Sequence, residues 1–208
     1  MAQTNPWIFL SEFVYTLDQA DGKIKKFPDL SIEFNGQSRF EYLKVLVEEW
    51  QKHRLLIIPK GRRMMITWTF LGLALWDTMF NTGRLTFIQK LTEKDSEDLL
   101  NYVKFIYNHL PEWIRKRHPV KDSKSNDIGK RLELEFEGTY SVIRAVPQGA
   151  KHFRGYYVTG AILDEFRECE EQEEMMASVI PALGETGWVV IISTAGGHDH
   201  FEKMVKDK

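Results

Sequence analysis

The segment at residues 55–68, LLIIPKGRRMMITW, constrains the fold of this chain most strongly. It opens with four aliphatic residues, continues through a basic turn that contains Gly61, and ends in a run with a helical pattern. Short continuous apolar runs are typical of strands buried in parallel sheets. A strand, a loop and a helix in this order place backbone N–H groups at a helix N-terminus, where phosphate binds. The segment is therefore either a phosphate-binding loop or a basic turn between two core elements.

Strand and helix patterns alternate along the rest of the chain, which predicts an open, mainly parallel α/β sheet flanked by helices. Two segments with period-two alternation, at 131–138 and 140–147, predict an antiparallel hairpin inserted in that sheet. Residues 111–130 are polar and basic, and we expect them to be irregular. The other predicted strands lie at 83–89, 155–166 and 187–197, and the predicted helices at 4–17, 38–52, 65–80, 92–110 and 170–183.

The composition predicts one domain over residues 1–208, with an N-terminal helical segment at 1–53 and a core at 54–196. The chain is 43% hydrophobic and contains no linker-like stretch. Its net charge of −2 provides no global attraction to nucleic acid, so such a contact would need a local patch. A single cysteine, Cys169, suits a reducing cytosol. No apolar run is long enough for a transmembrane helix.

Polar residues follow three of the predicted strands, at Lys60–Thr67, Asp164–Glu165 and Ser193–Thr194. Ligands of open α/β sheets bind outside the carboxyl ends of the strands. We therefore expect these three segments to form one pocket, and their convergence says more than any one motif.

The first polar segment contains the groups that a phosphate loop needs. The hydroxyl of Thr67 can bind Mg²⁺, and Gly61 permits unusual backbone angles or a close phosphate approach. The usual Gly-Lys pair before the hydroxyl residue is absent, because Met65 and Ile66 stand there. The cation for the phosphates would come instead from Lys60, Arg62 or Arg63, and the sequence does not decide between these.

Two adjacent acids, Asp164 and Glu165, follow an apolar run. A buried carboxylate is costly without a partner, and a Mg²⁺ ion held through water by Asp164 would be one. Glu165 would then orient or deprotonate the water that attacks a γ-phosphate. The alternative is a strand end with two solvated acids.

The sequence resembles the ATPase domain of the large terminase subunit of tailed bacteriophages. KGRRMMITW is similar to a deviant Walker A loop whose lysine stands at its start. By this resemblance Lys60 is the displaced lysine, Arg62 and Arg63 are the basic pair, and Thr67 supplies the magnesium hydroxyl; Met65 departs from the family's glycine. ILDEF is similar to Walker B, with Asp164 on magnesium and Glu165 as the catalytic glutamate.

Three further residues or segments enter through the same resemblance. Ser193 and Thr194 match the coupling motif, which links the hydrolysis state to DNA movement. Arg154, ahead of the Walker B strand, matches an arginine finger acting on the ATP of a neighbouring subunit; alternatively it pairs with an acid of its own chain. Gln37 would contact adenine in an upstream nucleotide motif.

The resemblance implies a P-loop NTPase fold of the ASCE division and an ATP-hydrolysing motor that moves double-stranded DNA into a prohead. Its cofactors would be ATP and Mg²⁺, and its protein partners the portal protein and the small terminase subunit. It implies a ring of subunits in the host cytoplasm and no membrane, and the isolated domain is expected to be a monomer. The nuclease domain of full-length terminases is expected to be absent from these 208 residues.

Two other functions remain open. One is a helicase-like nucleic-acid ATPase, although helicases usually need a second motor domain. The other is a degenerate module that binds nucleotide or serves in assembly without hydrolysis, which the missing Gly-Lys pair would explain.

Overall fold

The patterns of the sequence fold into helices and strands that alternate along most of the chain. This computed structural model describes residues 3–18, 21–29, 33–34, 37–38, 40–121, 129–194, 196 and 200–206, and for 33–34 and 37 the backbone alone. The helices are α1 (Pro6–Phe13), α2 (Tyr42–Lys52), α3 (Ile66–Phe80), α4 (Glu93–His109), α5 (Glu112–Arg117), α6 (Gln172–Ala182) and α7 (His200–Lys206). The strands are β1 (Tyr15–Leu17), β2 (Ile24–Lys26), β3 (Glu33–Phe34), β4 (Gln37–Ser38), β5 (Leu55–Lys60), β6 (Leu85–Lys90), β7 (Glu133–Glu135), β8 (Val142–Pro147), β9 (Val158–Asp164) and β10 (Leu183–Thr194).

The main sheet has the strand order β5-β10-β9-β6-β8-β7. All neighbouring strands in it are parallel except β7 and β8, which form the predicted antiparallel hairpin. The predicted fold class, an open and mainly parallel α/β sheet, is therefore confirmed. Because β5, β6, β8, β9 and β10 are parallel, their last residues lie along one edge of the sheet; Lys60 pairs with Thr194 and Asp164 with Ile192.

The sheet is buried on both faces, which explains why its strands read as continuous apolar runs. Alternate residues of β9 point to opposite sides, so that Ile162 belongs to one hydrophobic cluster and Leu163 to the other. One cluster packs under α1, α2, α3 and α4, and the other under α6 and α7. Helix α3 is buried around most of its circumference, as its apolar composition predicts.

Helices α1 and α4 begin at residues whose side chains cap the first turn. Asn5 accepts hydrogen bonds from the backbone N–H groups of Trp7 and Ile8, with Pro6 as the first residue of α1. Thr92 and Asp95 form a capping box at the start of α4.

Some elements differ from the predictions. Residues 112–117, expected to be irregular, form α5, whose acid in the first turn and bases in the last turn suit the helix dipole. The predicted helix at 38–52 begins only at Tyr42, because β4 occupies its first residues. The pairs β1–β2 and β3–β4 have two or three residues per strand, too few for an alternation signal. Over the described residues, no helix has the length and apolar character needed to cross a membrane.

Candidate phosphate-binding site

Three side chains meet at the carboxyl edge of the sheet. The ammonium Nζ of Lys60 donates to Thr67 Oγ1 at 2.9 Å and to Asp164 Oδ1 at 3.0 Å. Thr67 Oγ1 donates to the other carboxylate oxygen, Asp164 Oδ2, at 3.1 Å. The structure thus brings together the end of β5, the first turn of α3 and the end of β9, as the strand-end argument predicts.

The loop between β5 and α3 is held in an uncommon backbone conformation. Arg63 has φ +61° and Met65 has φ +56°, both in the left-handed region that favours glycine. Gly61 does not lie in that region; the left-handed residues are Arg63 and Met65, one on each side of Met64. Of the two reasons expected for Gly61, a close phosphate approach therefore stays a prediction. Met65 stands where the terminase family has glycine, and its left-handed backbone is what a glycine would adopt without strain.

Met64 contacts Gly61 within the loop and Tyr42 of α2. The backbone N–H of Gly61 donates to Met64 Sδ at 3.1 Å, and the hydroxyl of Tyr42, at the start of α2, donates to the carbonyl of Met64. Arg62 and Arg63 are exposed beside them. The loop therefore presents two guanidinium groups to solvent and keeps its lysine inside, on Asp164.

Asp164 is 6% exposed and ends a strand that is buried throughout. The next residue, Glu165, has φ +55°, and its N–H donates to Asp164 Oδ1 at 3.2 Å. Residues at this turn line a small crevice, among them Glu165, Gln89, Gln148 and Cys169. Asp164 is thus bonded to Lys60 and Thr67, and both acids line the crevice.

The end of β10, with Ser193 and Thr194, contacts the turn that follows Glu165. Ser193 is fully buried, and its Oγ accepts a hydrogen bond from the backbone N–H of Arg167 at 3.0 Å. Thr194 is the register partner of Lys60. Ser193 and Thr194 therefore lie between the lysine strand and the acid strand.

Arg154 and Gln37 are not placed in this cluster by any contact that the structure describes. Arg154 Nη2 donates to Glu174 Oε1 of α6 at 2.8 Å, and both side chains are exposed. This is the pairing within one chain that the sequence left open as the alternative. For Gln37 the backbone lies in β4, and its side chain is outside the described residues.

The donor set at Asp164 fits magnesium better than a metal held by protein ligands alone. Within the described ranges, no group of three or more histidine, cysteine, aspartate or glutamate side chains could hold a metal ion. One carboxylate and one hydroxyl, 3.1 Å apart, leave most coordination positions to water and phosphate oxygens, which is what Mg²⁺ prefers. The residues present therefore fit a magnesium–phosphate complex.

Sequence reasoning missed Tyr42, Gln89 and Gln148 as neighbours of the site. Gln89 is the second-last residue of β6, next to β9, and is 4% exposed. Its amide donates to the carbonyl of Pro147 at 2.8 Å. A polar residue in the last positions of an apolar strand is a signal that could have found it. Nothing local marks Tyr42, which reaches the loop from another helix.

Comparison with known proteins identifies the fold. No protein-family model matches the sequence, and no curated protein does. The structure is similar to the HK97 bacteriophage large terminase, with a TM-score of 0.69 and 14% identity over 99% of this chain and 40% of that one. It is also similar to the Thermus phage P74-26 large terminase ATPase domain, with a TM-score of 0.52 and 17% identity over 72% of this chain and 63% of that one. For a point mutant of that domain the TM-score is 0.58 and the identity 15%, over 77% of this chain and 67% of that one.

At such low sequence identity, the structural similarity establishes the fold and no more. The chain has the fold of phage large terminase ATPase domains, as the resemblance in sequence implied. It spans less than half the length of the HK97 large terminase.

Proposed function

We propose that this chain is an ATP-hydrolysing motor domain of a viral terminase, which couples hydrolysis to translocation of double-stranded DNA into a prohead. The observation that supports this most directly is the contact of Lys60, Thr67 and Asp164 at the carboxyl edge of a terminase-like sheet. A lysine, a hydroxyl at a helix N-terminus and a buried carboxylate are the groups that a nucleoside triphosphate with magnesium requires.

Each residue of the site has a defined task in this proposal. Thr67 and Asp164 hold Mg²⁺, which when bound neutralises phosphate charge. Lys60 donates to Thr67 Oγ1 and Asp164 Oδ1 in the structure. With a divalent cation on these two oxygens, the Lys60 ammonium would bind the phosphates instead. Arg62 and Arg63 are exposed beside the loop and neutralise the outer phosphate oxygens. Gln37 contacts adenine.

Glu165 orients and deprotonates the attacking water. Its position next to Asp164 but outside the Lys60 cluster suits this task, because a base must face the space beside the phosphate and remain free to accept a proton. The hydrogen bond from Arg167 N–H to Ser193 Oγ then connects the Glu165 turn to β10. Through it, Ser193 and Thr194 report the state of the nucleotide to the rest of the sheet.

The partners in this proposal are double-stranded DNA, the portal protein, the small terminase subunit and further copies of the chain in a ring, in the host cytoplasm. Arg154 acts on the nucleotide of the neighbouring copy. Its ion pair with Glu174 is exposed, and exposed pairs contribute about 0–1 kcal/mol, so exchange of Glu174 for a phosphate costs little.

One observation favours a nucleotide-binding module without hydrolysis as the second candidate. Met65 occupies a left-handed position that glycine fills in the family, and Lys60 is engaged by Asp164. A loop locked in this form would bind nucleotide without positioning the γ-phosphate.

Binding calorimetry tests the site. We expect ADP and a non-hydrolysable ATP analogue to bind more tightly with Mg²⁺ than without it, and Asp164→Asn to remove the magnesium dependence. Asp98→Asn is the matched control, because Asp98 is half-exposed on α4 and pairs only with the neighbouring Lys94 in the contacts described. Absence of binding at millimolar nucleotide, or equal magnesium dependence in Asp164→Asn, would overturn the assignment.

A further inference from the structure

The phosphate loop is strained, so contacts from outside must hold it in shape. Arg63 and Met65 both have positive φ, and a residue other than glycine loses about 1–2 kcal/mol in this region. The residue between them, Met64, is 37% exposed. Its main-chain carbonyl is the group that another part of the molecule holds.

That contact comes from Tyr42, whose hydroxyl donates to the carbonyl of Met64. Tyr42 is the first residue of α2, and its ring packs against the main hydrophobic cluster. The following residues Leu43 and Val47 are fully buried, so α2 is fixed to the core. The tyrosine hydroxyl is therefore a donor on a rigid support, 22 residues away in sequence.

Fixing this carbonyl also fixes the next N–H. In a planar trans peptide, the C=O of Met64 and the N–H of Met65 point in opposite directions. With the carbonyl directed to Tyr42, the Met65 N–H is directed away from α2. Met65 is the N-cap of α3, where N–H groups have no helical acceptor and are available to an anion.

We propose that Tyr42 is a positioning residue for phosphate binding, which acts by setting the peptide between Met64 and Met65 so that its N–H faces the phosphates. This inference rests on the proposed function, since it concerns the same nucleotide site. It adds a contribution from the N-terminal segment of the chain to a loop whose own sequence lacks the usual glycine.

The test is Tyr42→Phe, which keeps the ring and removes the donor. The matched control is Tyr107→Phe: the Tyr107 hydroxyl of α4 donates to the backbone carbonyl of His118 at 2.9 Å, away from the loop. We expect Tyr42→Phe to weaken binding of Mg–ADP about three- to tenfold, the range that one hydrogen bond accounts for. Tyr107→Phe should leave this affinity within about a factor of two of wild type while losing a comparable hydrogen bond.

The outcomes separate this inference from the proposed function. If wild type does not bind Mg–ADP, the proposed function fails and this inference fails with it. If wild type binds and Tyr42→Phe binds equally well, or if both variants lose affinity equally, Tyr42 has no positioning role.

A measurement on the wild-type chain keeps the test decisive should Tyr42→Phe fail to fold. In nuclear magnetic resonance spectra of ¹⁵N-labelled protein, the Met65 amide should be among the signals that move most when Mg–ADP is added. An unmoved Met65 amide in a chain that binds would overturn the inference.

Discussion

A buried carboxylate beside a cation lies at each end of helix α3. Its first turn carries Thr67 next to Asp164, which is 6% exposed and pairs with Lys60 at 3.0 Å. Its last turn carries Asp77, which is 4% exposed and has Arg84 Nε at 3.4 Å from Oδ1. Burial and charge pairing are nearly the same at the two ends, so neither identifies the functional one.

The difference lies in how firmly the partners are fixed. Asp77 accepts from the indole N–H of Trp188 at 3.0 Å and from the amide of Asn81 at 3.0 Å. The Trp188 ring is packed tightly against the backbone of Gly160, where a Cβ atom would lie 2.7 Å from it. Asp164 instead pairs with a long lysine and a hydroxyl at the open edge of the sheet. The two acids therefore differ in how firmly their partners are held, and not in burial.

Backbone strain follows the same division. Four described residues other than glycine have positive φ. Arg63 and Met65 lie in the loop between Lys60 and Thr67, and Glu165 follows Asp164. The fourth, Tyr140, lies in the exposed turn before β8. Strained residues are held at sites where the surrounding structure determines them, and they cluster at functional sites.

The largest expected effect is on hydrolysis at the Asp164 end. We expect Glu165→Gln to lower the rate of ATP hydrolysis about 10²- to 10⁴-fold, the contribution of a general base, while nucleotide still binds. Steady-state phosphate release and calorimetry on the same preparation measure both quantities. Glu185→Gln is the control, because Glu185 is exposed near the start of β10 at the other end of the sheet. Unchanged hydrolysis in Glu165→Gln would remove the catalytic assignment.

The second effect is on stability at the Asp77 end. Asp77→Ala leaves the indole N–H of Trp188 without its acceptor and the cation of Arg84 without its ion-pair partner. We expect a loss of about 3–5 kcal/mol in the free energy of unfolding, measured by urea denaturation. Asp164→Ala should lose clearly less, because the Lys60 ammonium can extend to the open edge. Equal losses at the two positions would contradict the distinction drawn between them.

The site could be predicted from sequence where it depends on strand ends, and not where it depends on contacts between distant segments. Lys60 and Asp164 each follow an apolar strand, and parallel strands bring such ends together without further information. The pair Asp77–Trp188 spans 111 residues and has no local pattern, so α3 read only as an apolar helix. The left-handed backbone of Met65 could not be predicted either, because positive φ is expected at glycine and not at methionine.

The third prediction concerns the pH dependence of stability at the Asp77 end. Burial raises the pKa of the Asp77 carboxyl, and the hydrogen bond from Trp188 and the charge of Arg84 oppose this only in part. A raised pKa in the folded state means that the folded chain binds the proton more tightly. The contribution of Asp77 to folding stability is therefore complete below the ordinary carboxyl pKa near 4. It is lost as the pH rises through the pKa that Asp77 has in the folded state.

Urea denaturation between about pH 2 and pH 7 measures this dependence, because this range extends below the ordinary carboxyl pKa near 4. We expect wild type to gain stability relative to Asp77→Asn as the pH falls. Asp95→Asn provides a control of opposite sign, because the hydrogen bond from the Thr92 side chain lowers the pKa of Asp95. Its wild-type contribution should be lost as the pH falls. The same sign for both variants would refute the assignment at Asp77.

The smallest effect separates backbone strain from packing at the two ends of α3. Met65 has a left-handed backbone, whereas Met79 is helical and fully buried. Replacement by alanine or by glycine removes the same packing at a given position, so the difference between these two variants isolates the backbone. At Met79 we expect the glycine variant to be less stable than the alanine variant by about 1 kcal/mol, as in other helix interiors. At Met65 the order should reverse by about 0.5–1 kcal/mol, because alanine retains the strain of positive φ and glycine does not. Thermal or urea denaturation of the four variants checks this, and the same order at both positions would show that the loop around Met65 holds no strain.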